Sequence, residues 1–297
     1  MTCRAILLGW IALLLWGVAD ASPLTIVDDA GRSVTLSGPP KRIMTLTPGH
    51  TEILFALGAG DRIVAVDQWS DFPAAAKVKP QIAPFTPNLE QVLRLHPDLI
   101  LSTHGGADLL LPLERHGIRV MIFAPRTLEH LYRNILLIGR IADAEARAES
   151  LVGAMRQRVA AVVAKVRDAP RPTLFIEVDG TDPDRPFTAG PGSFIDVLVR
   201  LAGGVNVAAH SRTAWPQFSL EELVKADPDL IILADPLAPV NPDAPGLAAR
   251  RPGWGRLRAV RLGAVAAIDA NLISRPGPRI VEGLERLAGL VHSDRFR

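Results

Sequence analysis

The chain has 297 residues, of which 48% are hydrophobic and 22% are charged, so it is long enough to fold as two globular domains. Its 33 basic and 31 acidic side chains give a net charge of +2, and no basic block indicates a surface for nucleic acid. The single cysteine, Cys3, lies ahead of the mature chain defined below, so we expect neither disulfides nor thiol chemistry there.

A targeting segment opens the chain. Arg4 precedes an uncharged apolar run at residues 5–18, and Ala19-Asp20-Ala21 has the small-x-small pattern that signal peptidase recognises. We therefore predict a signal peptide over residues 1–21, with the mature chain located in the periplasm. The alternative is a membrane anchor, but the run is shorter than the roughly 20 residues that a membrane span needs.

Short apolar strands alternate with helices through the first half of the chain. Residues 24–37 alternate in hydrophobicity and turn near Asp29, which predicts a hairpin at an edge. Further apolar strands and helical patterns follow in alternation, with strands at 42–46, 63–66, 99–101 and 119–123 and helices over 51–57 and 107–116. This alternation predicts an α/β fold with mostly parallel sheets.

One stretch of the sequence occurs twice. LEQVLRLHPDLIL at residues 89–101 returns as LEELVKADPDLII at residues 220–232, and a helix-capping residue, Asn88 or Ser219, precedes each copy. Each copy predicts a short helix, a Pro-Asp turn and a buried strand. The duplication therefore predicts two similar lobes that present equivalent edges to a shared cleft.

The second half repeats the scheme of the first. Strands are predicted at residues 173–178, 230–233 and 264–269, and helices over 193–201 and 278–291. A glycine-containing stop closes the first of these helices, as it does the helix that ends at Leu57. This similarity adds a second repeated element to the one described above.

The two halves are joined by residues 143–167, which contain no proline and have apolar residues at intervals of three and four. These features predict one helix of roughly 37 Å, at about 1.5 Å per residue. The alternative is an ordinary helix that lies on one domain. The predicted organisation is an N-terminal lobe over residues 22–142, a connecting helix over 143–168 and a C-terminal lobe over 169–297.

The repeated helix starts carry two pairs of polar residues. Gln91 and Glu222 hold the third helical position, where each would complete a capping box. Glu90 and Glu221 hold the second position and point outward. Either acid alone is explained by the helix dipole, which favours it by roughly 0.3–1 kcal/mol. As a pair on one rim, they suit docking on a symmetric basic partner.

Aromatic residues lie in the predicted loops. Trp69 and Trp215 are flanked by polar residues and prolines, and Phe85 and Phe187 lie in proline-containing loops. Loops at the carboxyl ends of strands line the crevice where α/β proteins bind ligands. The alternative for each is that it covers the edge of a core, which is the interpretation we favour for Trp254.

Signatures of catalysis are absent from the sequence: it contains no Gly-x-Ser-x-Gly motif, no P-loop and no metal-binding histidine spacing. His50 and His104 are predicted in loops that could face the cleft and contact a ligand or its metal. His96, His116 and His130 are predicted at the surface. We therefore expect no enzyme, and the alternative is an exported metal-dependent enzyme that uses His50 and His104.

Eight motifs together resemble one family, the solute-binding proteins of cobalamin and related iron-siderophore or haem importers. They are PKRI at 40–43, TEILFALG at 51–58, QWSDFP at 68–73, NLE at 88–90, PDLI at 97–100, RPFTAG at 185–190, SRTAWPQ at 211–217 and SRPGPRI at 274–280. The resemblance implies two lobes bridged by one long helix and a corrinoid, cobalamin, captured between them. It also implies delivery to an inner-membrane ABC permease, with no cofactor besides the transported ligand, and we expect a monomer.

The resemblance also implies roles for particular residues, which follow from their positions in the motifs. Glu90 and Glu221 correspond to the two acids that dock on arginines of the permease. Asn271 stands where a family member has aspartate. The residues implied to contact the ligand are Trp69, Phe85, Phe187, Trp215, Asn271 and Arg275.

Two other ligands of the same family remain open as alternatives. A ferric siderophore would favour a cleft with several Arg or Lys side chains, whereas haem would favour a Tyr or His ligand. The only tyrosine, Tyr132, is predicted on a helix just before the connector, away from the cleft loops. His50 or His104 would then be the haem ligand.

Overall fold

Two sheets of mostly parallel strands organise the chain, and the computed structural model describes residues 23–105, 112–235 and 243–296. A separate antiparallel hairpin precedes them, formed by β1 (Leu24–Val27) and β2 (Ser33–Leu36), as the sequence predicts. The predicted signal peptide lies outside the described residues. Among the helices of the described ranges, none is both long and apolar enough to cross a membrane.

The N-terminal sheet is fully parallel, and its strand order is β5-β4-β3-β6-β7. Its strands are β3 (Ile43–Thr45), β4 (Ile63–Asp67), β5 (Gln81–Ile82), β6 (Leu99–Ser102) and β7 (Arg119–Ile122). The helices around it are α1 (Pro48–Ala56), α2 (Leu89–Arg94) and α3 (Leu128–Ile141). Residues 112–115 are also helical, and the rest of the helix predicted over 107–116 lies largely outside the described ranges.

The long helix that follows, α4 (Glu145–Val166), has 22 residues and spans about 33 Å. Asp143 adopts a left-handed backbone (φ +53°), which separates α4 from α3. An apolar stripe of α4 is buried. On its outer face, Arg158 forms an ion pair (2.6 Å) with Glu285, which lies in the last helix of the chain. In sequence, α4 stands between the two sheets.

The C-terminal sheet has the strand order β10-β8-β11-β12, and β9 pairs with β8 in the antiparallel sense. Its strands are β8 (Thr173–Asp179), β9 (Phe187–Thr188), β10 (Val205–Asn206), β11 (Leu230–Leu233) and β12 (Val265–Ala267). Its helices are α5 (Phe194–Leu201), α6 (Leu220–Ala226), α7 (Ala244–Arg250), α8 (Arg258–Arg261), α9 (Ala270–Ser274) and α10 (Ile280–Val291).

The two sheets repeat one topology. When the short strands β5 and β9 are left aside, the first strand of each sheet lies in the interior, the second pairs on one side of it, and the third and fourth follow on the other side. β3, β4, β6 and β7 of the first sheet thus correspond to β8, β10, β11 and β12 of the second. The predicted α/β fold with two similar lobes is confirmed, because equivalent strands occupy equivalent places.

The Pro-Asp turn of the repeated motif has the same role in both sheets. The carboxylate of Asp98 accepts the backbone N–H groups of Lys41 (2.7 Å) and Arg42 (3.1 Å), just before β3. The carboxylate of Asp229 accepts the backbone N–H (2.8 Å) and hydroxyl (2.8 Å) of Thr173, where β8 begins. Each aspartate therefore holds the first residues of its neighbouring strand in register.

Trp254 lies in the core of the second lobe, as the sequence predicts. Its side chain is fully buried, and its Nε1–H donates to the carbonyl of Pro183 (2.9 Å). The guanidinium of Arg251 covers one face of the indole at 4.4 Å and forms an ion pair with the buried Glu177. These contacts leave the indole no role at the surface.

Candidate ligand cleft

The predicted ligand-contacting residues lie at the carboxyl-terminal edges of the two sheets. Trp69 follows β4 and Phe85 follows β5, whereas Trp215 lies in the loop after β10. Asn271 and Arg275 lie after β12. Open α/β sheets bind ligands outside the carboxyl ends of their strands, at the point where the strand order reverses.

Three rings form a row at this edge of the N-terminal lobe. Trp69 packs against Phe85 with ring centres 5.8 Å apart and planes at 61°. Phe85 packs in turn on His104, with ring centres 4.9 Å apart and planes at 33°. Trp69 is 46% exposed and Phe85 is 66% exposed, so the row presents aromatic surface to solvent. Such surface suits a large flat ligand.

A buried polar network fixes the loop that carries Trp69. The carboxylate of Asp67 accepts the Trp69 backbone N–H (2.9 Å) and the Ser70 hydroxyl. The Ser70 hydroxyl also contacts that of Thr51 (2.8 Å), which contacts that of Thr45 (2.6 Å). Burial raises the pKa of Asp67, although these hydrogen bonds oppose the shift. The network joins the exposed indole to β3, β4 and α1.

The C-terminal lobe groups its two aromatic residues through the backbone. Phe187 lies in the short strand β9, rather than in a loop as predicted, and it bridges to Gln217. The Thr188 N–H donates to the carbonyl of Pro216 (2.9 Å), next to Trp215. Phe187 is 37% exposed and Trp215 is 49% exposed. The two residues therefore lie on neighbouring backbone segments, and the side chain of each is partly exposed.

Ion pairs join the two lobes beside these aromatic residues. The Arg275 guanidinium contacts the Asp71 carboxylate at 2.5 Å. The Arg279 guanidinium donates two hydrogen bonds to Glu52 (2.7 and 3.1 Å) and covers the ring of Phe72 at 4.0 Å. Both arginines belong to the second lobe, and their partners belong to the first. The lobes therefore meet directly, in addition to their connection through α4.

Backbone packing brings the same segments close together. A Cβ at Gly49 would collide with the carbonyl oxygen of Pro276, so only glycine allows this approach. Glu52 is almost fully buried, and this burial raises the pKa of its carboxyl although Arg279 opposes the shift. The charge of Glu52 is compensated from across the lobe boundary rather than by water.

The resemblance assigned Asn271 and Arg275 to ligand contact. Asn271 lies in the first turn of α9, where its backbone N–H donates to Asp269 (2.9 Å). Its side chain is partly exposed. The Arg275 side chain is engaged by Asp71, so a ligand would approach a guanidinium that is already oriented. Ligand contact by either residue stays a prediction.

The position predicted for His50, a possible metal ligand, is wrong. His50 does not lie in a loop facing the cleft, because α1 begins at Pro48 and buries the imidazole, whose Nε2 lies 3.0 Å from the carbonyl of Phe123. Burial lowers the pKa of His50 to about 4. His130 lies on a helix with a partly exposed side chain, as predicted, and it also pairs with the buried carboxylate of Asp29 (2.8 Å).

The positions of Tyr132 and of the other histidines show which of them lie near the cleft. Tyr132 is buried in α3, with its ring beneath Arg156 at 5.1 Å. His96 and His116 are exposed, as expected. His104 alone of the two cleft candidates reaches the aromatic row. Within the described residues, no group of three or more His, Cys, Asp or Glu side chains has the arrangement of a metal site.

The two predicted docking acids are exposed, but the helix starts around them differ. Ser219 and Glu222 form the predicted capping box. In the first copy, Asn88 accepts the Gln91 N–H (2.9 Å), but the Gln91 side chain donates to the carbonyl of Gln81 (3.1 Å). The capping box predicted for Gln91 is therefore wrong, because β5 offers its side chain another acceptor.

The sequence does not indicate the contacts between the lobes. The residues of the ion pair between Asp71 and Arg275 are 204 positions apart, and those of the pair between Glu52 and Arg279 are 227 apart. All four fall in the motifs at 51–58, 68–73 and 274–280, which was the only available signal. Nothing in those motifs indicates that their charges pair with one another.

Comparison with known proteins decides the family. The family described as "Periplasmic binding protein" matches residues 43–272, most of the chain. The chain belongs to the periplasmic binding protein family. It is therefore an extracytoplasmic solute-binding protein of an ABC importer, and not an enzyme.

Individual relatives differ in the ligand that their names state. The chain is 32% identical over 286 residues to an uncharacterised ABC transporter substrate-binding lipoprotein, YvrC of Bacillus subtilis, covering 94% of this chain and 88% of the relative. It is 31% identical over 285 residues to a cobalamin-binding protein of Halobacterium salinarum, covering 93% and 76%. A periplasmic haem-binding protein of Pseudomonas aeruginosa has a similar structure, with TM-score 0.76, 28% identity and coverage of 86% and 93%.

Proposed function

We propose that this solute-binding protein captures cobalamin between its lobes and delivers it to an inner-membrane ABC permease. The observation that carries the proposal is the partly exposed aromatic surface on both lobes, at the sheet edges where ligands bind. Trp69 and Phe85 supply it on one side, and Phe187 and Trp215 supply it on the other. A corrinoid is large, flat and fringed with amides, so it needs aromatic faces and polar loops.

Two arginines beside the cleft are not free to bind a ferric siderophore. A negatively charged chelate needs free cationic side chains, and Arg275 and Arg279 are engaged by Asp71 and Glu52. For haem, the buried positions of His50 and Tyr132 leave His104 as the candidate ligand near the row. The division into lobes over 22–142 and 169–297, joined by residues 143–168, belongs to the same proposal.

Calorimetric titration tests the ligand directly. Purified protein is titrated with cyanocobalamin, haem and a ferric hydroxamate, and cobalamin alone is expected to bind at micromolar or lower concentration. Trp215→Ala should weaken binding by about tenfold or more, because an indole contributes a large apolar contact. Tight binding of haem or the hydroxamate, with no heat from cyanocobalamin, would overturn the proposal.

A matched control comes from an exposed apolar side chain away from the cleft. Leu262 is 73% exposed, and it precedes β12, at the opposite edge of the C-terminal sheet from the aromatic residues. Leu262→Ala should leave the dissociation constant for cyanocobalamin unchanged. Equal weakening by both substitutions would show that the effect of Trp215→Ala is not local.

Delivery is proposed to depend on Glu90 and Glu221. Both are exposed at the first turns of equivalent helices, α2 and α6, so each is accessible to a cationic side chain of a permease. The double substitution Glu90→Ala with Glu221→Ala should abolish most cobalamin uptake by cells that carry the cognate permease, with affinity nearly unchanged. Glu149→Ala, an exposed acid on α4, is the control. Loss of affinity instead would place these acids in the cleft.

Export is proposed to remove residues 1–21 and to leave Ser22 at the amino terminus in the periplasm. The mass of the intact protein, recovered from both the periplasmic and the membrane fractions, tests this. Retention of the whole apolar run at residues 5–18 would identify a membrane anchor instead.

A further inference from the structure

The geometry points to His104 as a positioning residue for Phe85, and thereby for the aromatic row of the N-terminal lobe. The consequence for ligand affinity rests on the proposed function, whereas the placement of Phe85 does not. The sequence offered His104 only as a possible ligand or metal contact.

Two contacts join His104 to the segment that carries Phe85. The His104 Nε2–H donates to the carbonyl of Pro84 at 2.9 Å, which fixes the residue immediately before Phe85. The imidazole also packs on the Phe85 ring, with centres 4.9 Å apart and planes inclined by 33°. The same side chain therefore holds both the backbone and the ring.

His104 is itself fixed by the buried end of β6. The Ser102 hydroxyl donates to the His104 carbonyl (2.7 Å) and accepts the His104 backbone N–H (3.2 Å). Ser102 is completely buried. Support therefore runs from a core strand through His104 to a ring that is 66% exposed.

Phe85 depends on this support because solvent surrounds most of its ring. Among the described residues, its aromatic neighbours are Trp69 and His104, and Trp69 is itself nearly half exposed. A phenyl ring freed from His104 would sample other rotamers and would have to be ordered again when a ligand binds. Ordering one side chain on binding weakens affinity by roughly three- to tenfold.

Three substitutions separate the two contacts. His104→Ala removes both, His104→Phe keeps a ring but no hydrogen bond, and His104→Gln keeps a donor but no ring. Near-ultraviolet circular dichroism of the ligand-free protein reports the packing around Trp69, and calorimetry with cyanocobalamin reports affinity. His116→Ala, at an exposed histidine outside the row, is the control.

The expected result has a specific pattern. His104→Ala should change the near-ultraviolet spectrum as Phe85→Ala does, and this change should vanish in a Trp69→Phe background. It should weaken cyanocobalamin binding by roughly three- to tenfold. His104→Phe and His104→Gln should each restore part of the loss. In a Phe85→Ala background, His104→Ala should have almost no further effect, because both act through one ring.

The outcomes separate this inference from the proposed function. A spectrum unchanged by His104→Ala would overturn the positioning role, whatever ligand is bound. An equal loss of affinity with and without Phe85 would overturn it as well, since His104 would then act on the ligand directly. A protein that shows the spectral pattern but binds no cyanocobalamin would confirm the positioning role and overturn only the proposed ligand.

Discussion

The two helices that carry the repeated sequence share a fold position but differ in their charges. In α2, Glu90 forms an ion pair with Arg94 of the same helix (2.9 Å). In α6, Glu221 has no ion-pair partner among the described residues. An exposed pair of this kind contributes roughly 0.3–0.5 kcal/mol. Docking through Glu90 would therefore have to displace a weak internal partner, whereas docking through Glu221 would not.

A second pair of helices, α1 and α5, shows a larger difference between the lobes. Both end at a glycine in the left-handed region, Gly58 (φ +76°) and Gly203 (φ +79°). Alignment on these glycines places Val197 of α5 at the position of Glu52 in α1. The first lobe carries a buried acid, paired with Arg279 of the second lobe, where the second lobe carries an apolar residue. The two lobes are similar in topology, and their charges are complementary where Arg279 meets Glu52.

The largest expected effect comes from breaking the contact between the lobes. Glu52→Gln leaves Arg279 partly buried without its counter-charge, so the free energy of unfolding should fall by about 3 kcal/mol. Urea denaturation followed by circular dichroism measures it. Glu285→Gln breaks the more exposed pair with Arg158 and should cost less than about 1 kcal/mol. Equal costs would mean that the Glu52 pair adds nothing by its burial.

His50 should make the stability of the first lobe depend on pH. Burial lowers its pKa from 6.5 to about 4, so the unfolded chain binds the proton more readily than the folded one. Stability is therefore full above about pH 6.5 and falls as the pH drops towards 4, by about 3 kcal/mol at pH 4. At the equivalent position of α5 stands Ile195, which cannot titrate.

Denaturation at several pH values measures this contribution. His50→Gln should flatten the dependence of unfolding free energy on pH between 4 and 6.5, whatever its effect at pH 7. His116→Gln, at an exposed histidine, should leave the slope as in the wild type. A slope that His50→Gln does not change would contradict the buried neutral state of the imidazole.

The aspartates of the two Pro-Asp turns allow a direct comparison of the lobes. Asp229→Ala removes an acceptor from two groups of Thr173 and an ion pair with Arg258. Asp98→Ala removes an acceptor from two backbone N–H groups at an exposed site. We expect losses of about 2 kcal/mol for Asp229 and about 1 kcal/mol for Asp98. A larger loss of unfolding free energy for Asp98→Ala than for Asp229→Ala, in thermal or urea unfolding, would contradict a greater role for the turn in the second lobe.

The smallest expected difference lies in the helix caps. Ser219→Ala removes both hydrogen bonds of the Ser219 hydroxyl, from the Glu222 N–H (3.2 Å) and to the Glu222 carboxylate (2.8 Å), whereas Asn88→Ala removes a single hydrogen bond. Losses of about 1 kcal/mol for Ser219 and about 0.5 kcal/mol for Asn88 are expected. Hydrogen exchange at the backbone amides of Glu222 and Gln91 would resolve them. Equal acceleration at both amides would show that the extra bond from the Ser219 hydroxyl to the Glu222 carboxylate contributes nothing.

The sequence determined the elements whose signals are local. Strands at residues 99–101 and 230–233 were predicted within one residue, because short apolar runs between turns have few other solutions. The connecting helix is predicted over residues 143–168, and α4 is slightly shorter at both ends (Glu145–Val166). It begins later because Asp143 adopts a left-handed backbone. The start of α1 was misjudged by three residues because Pro48 occupies its first turn.

The exposure of Trp69, Phe85 and Trp215 could also be predicted, because each lies in a loop after a strand, whereas Phe187 lies in the short strand β9. Sequence alone gave the repeated helices and their caps as well, since capping depends on residues three positions apart. Sequence does not predict which distant group a side chain bonds when two acceptors are within reach. Gln91 has a good capping position and still bonds elsewhere, because β5 happens to lie beside it.

Only the tertiary structure decided which charges and rings meet. The pairing of Arg279 with Glu52, and of Arg275 with Asp71, joins residues more than two hundred positions apart. Tertiary packing also places His104 beside Phe85 and buries His50 away from the cleft. Local sequence fixes backbone conformation within a few residues, whereas side-chain partners depend on how distant strand ends are brought to one edge of a sheet.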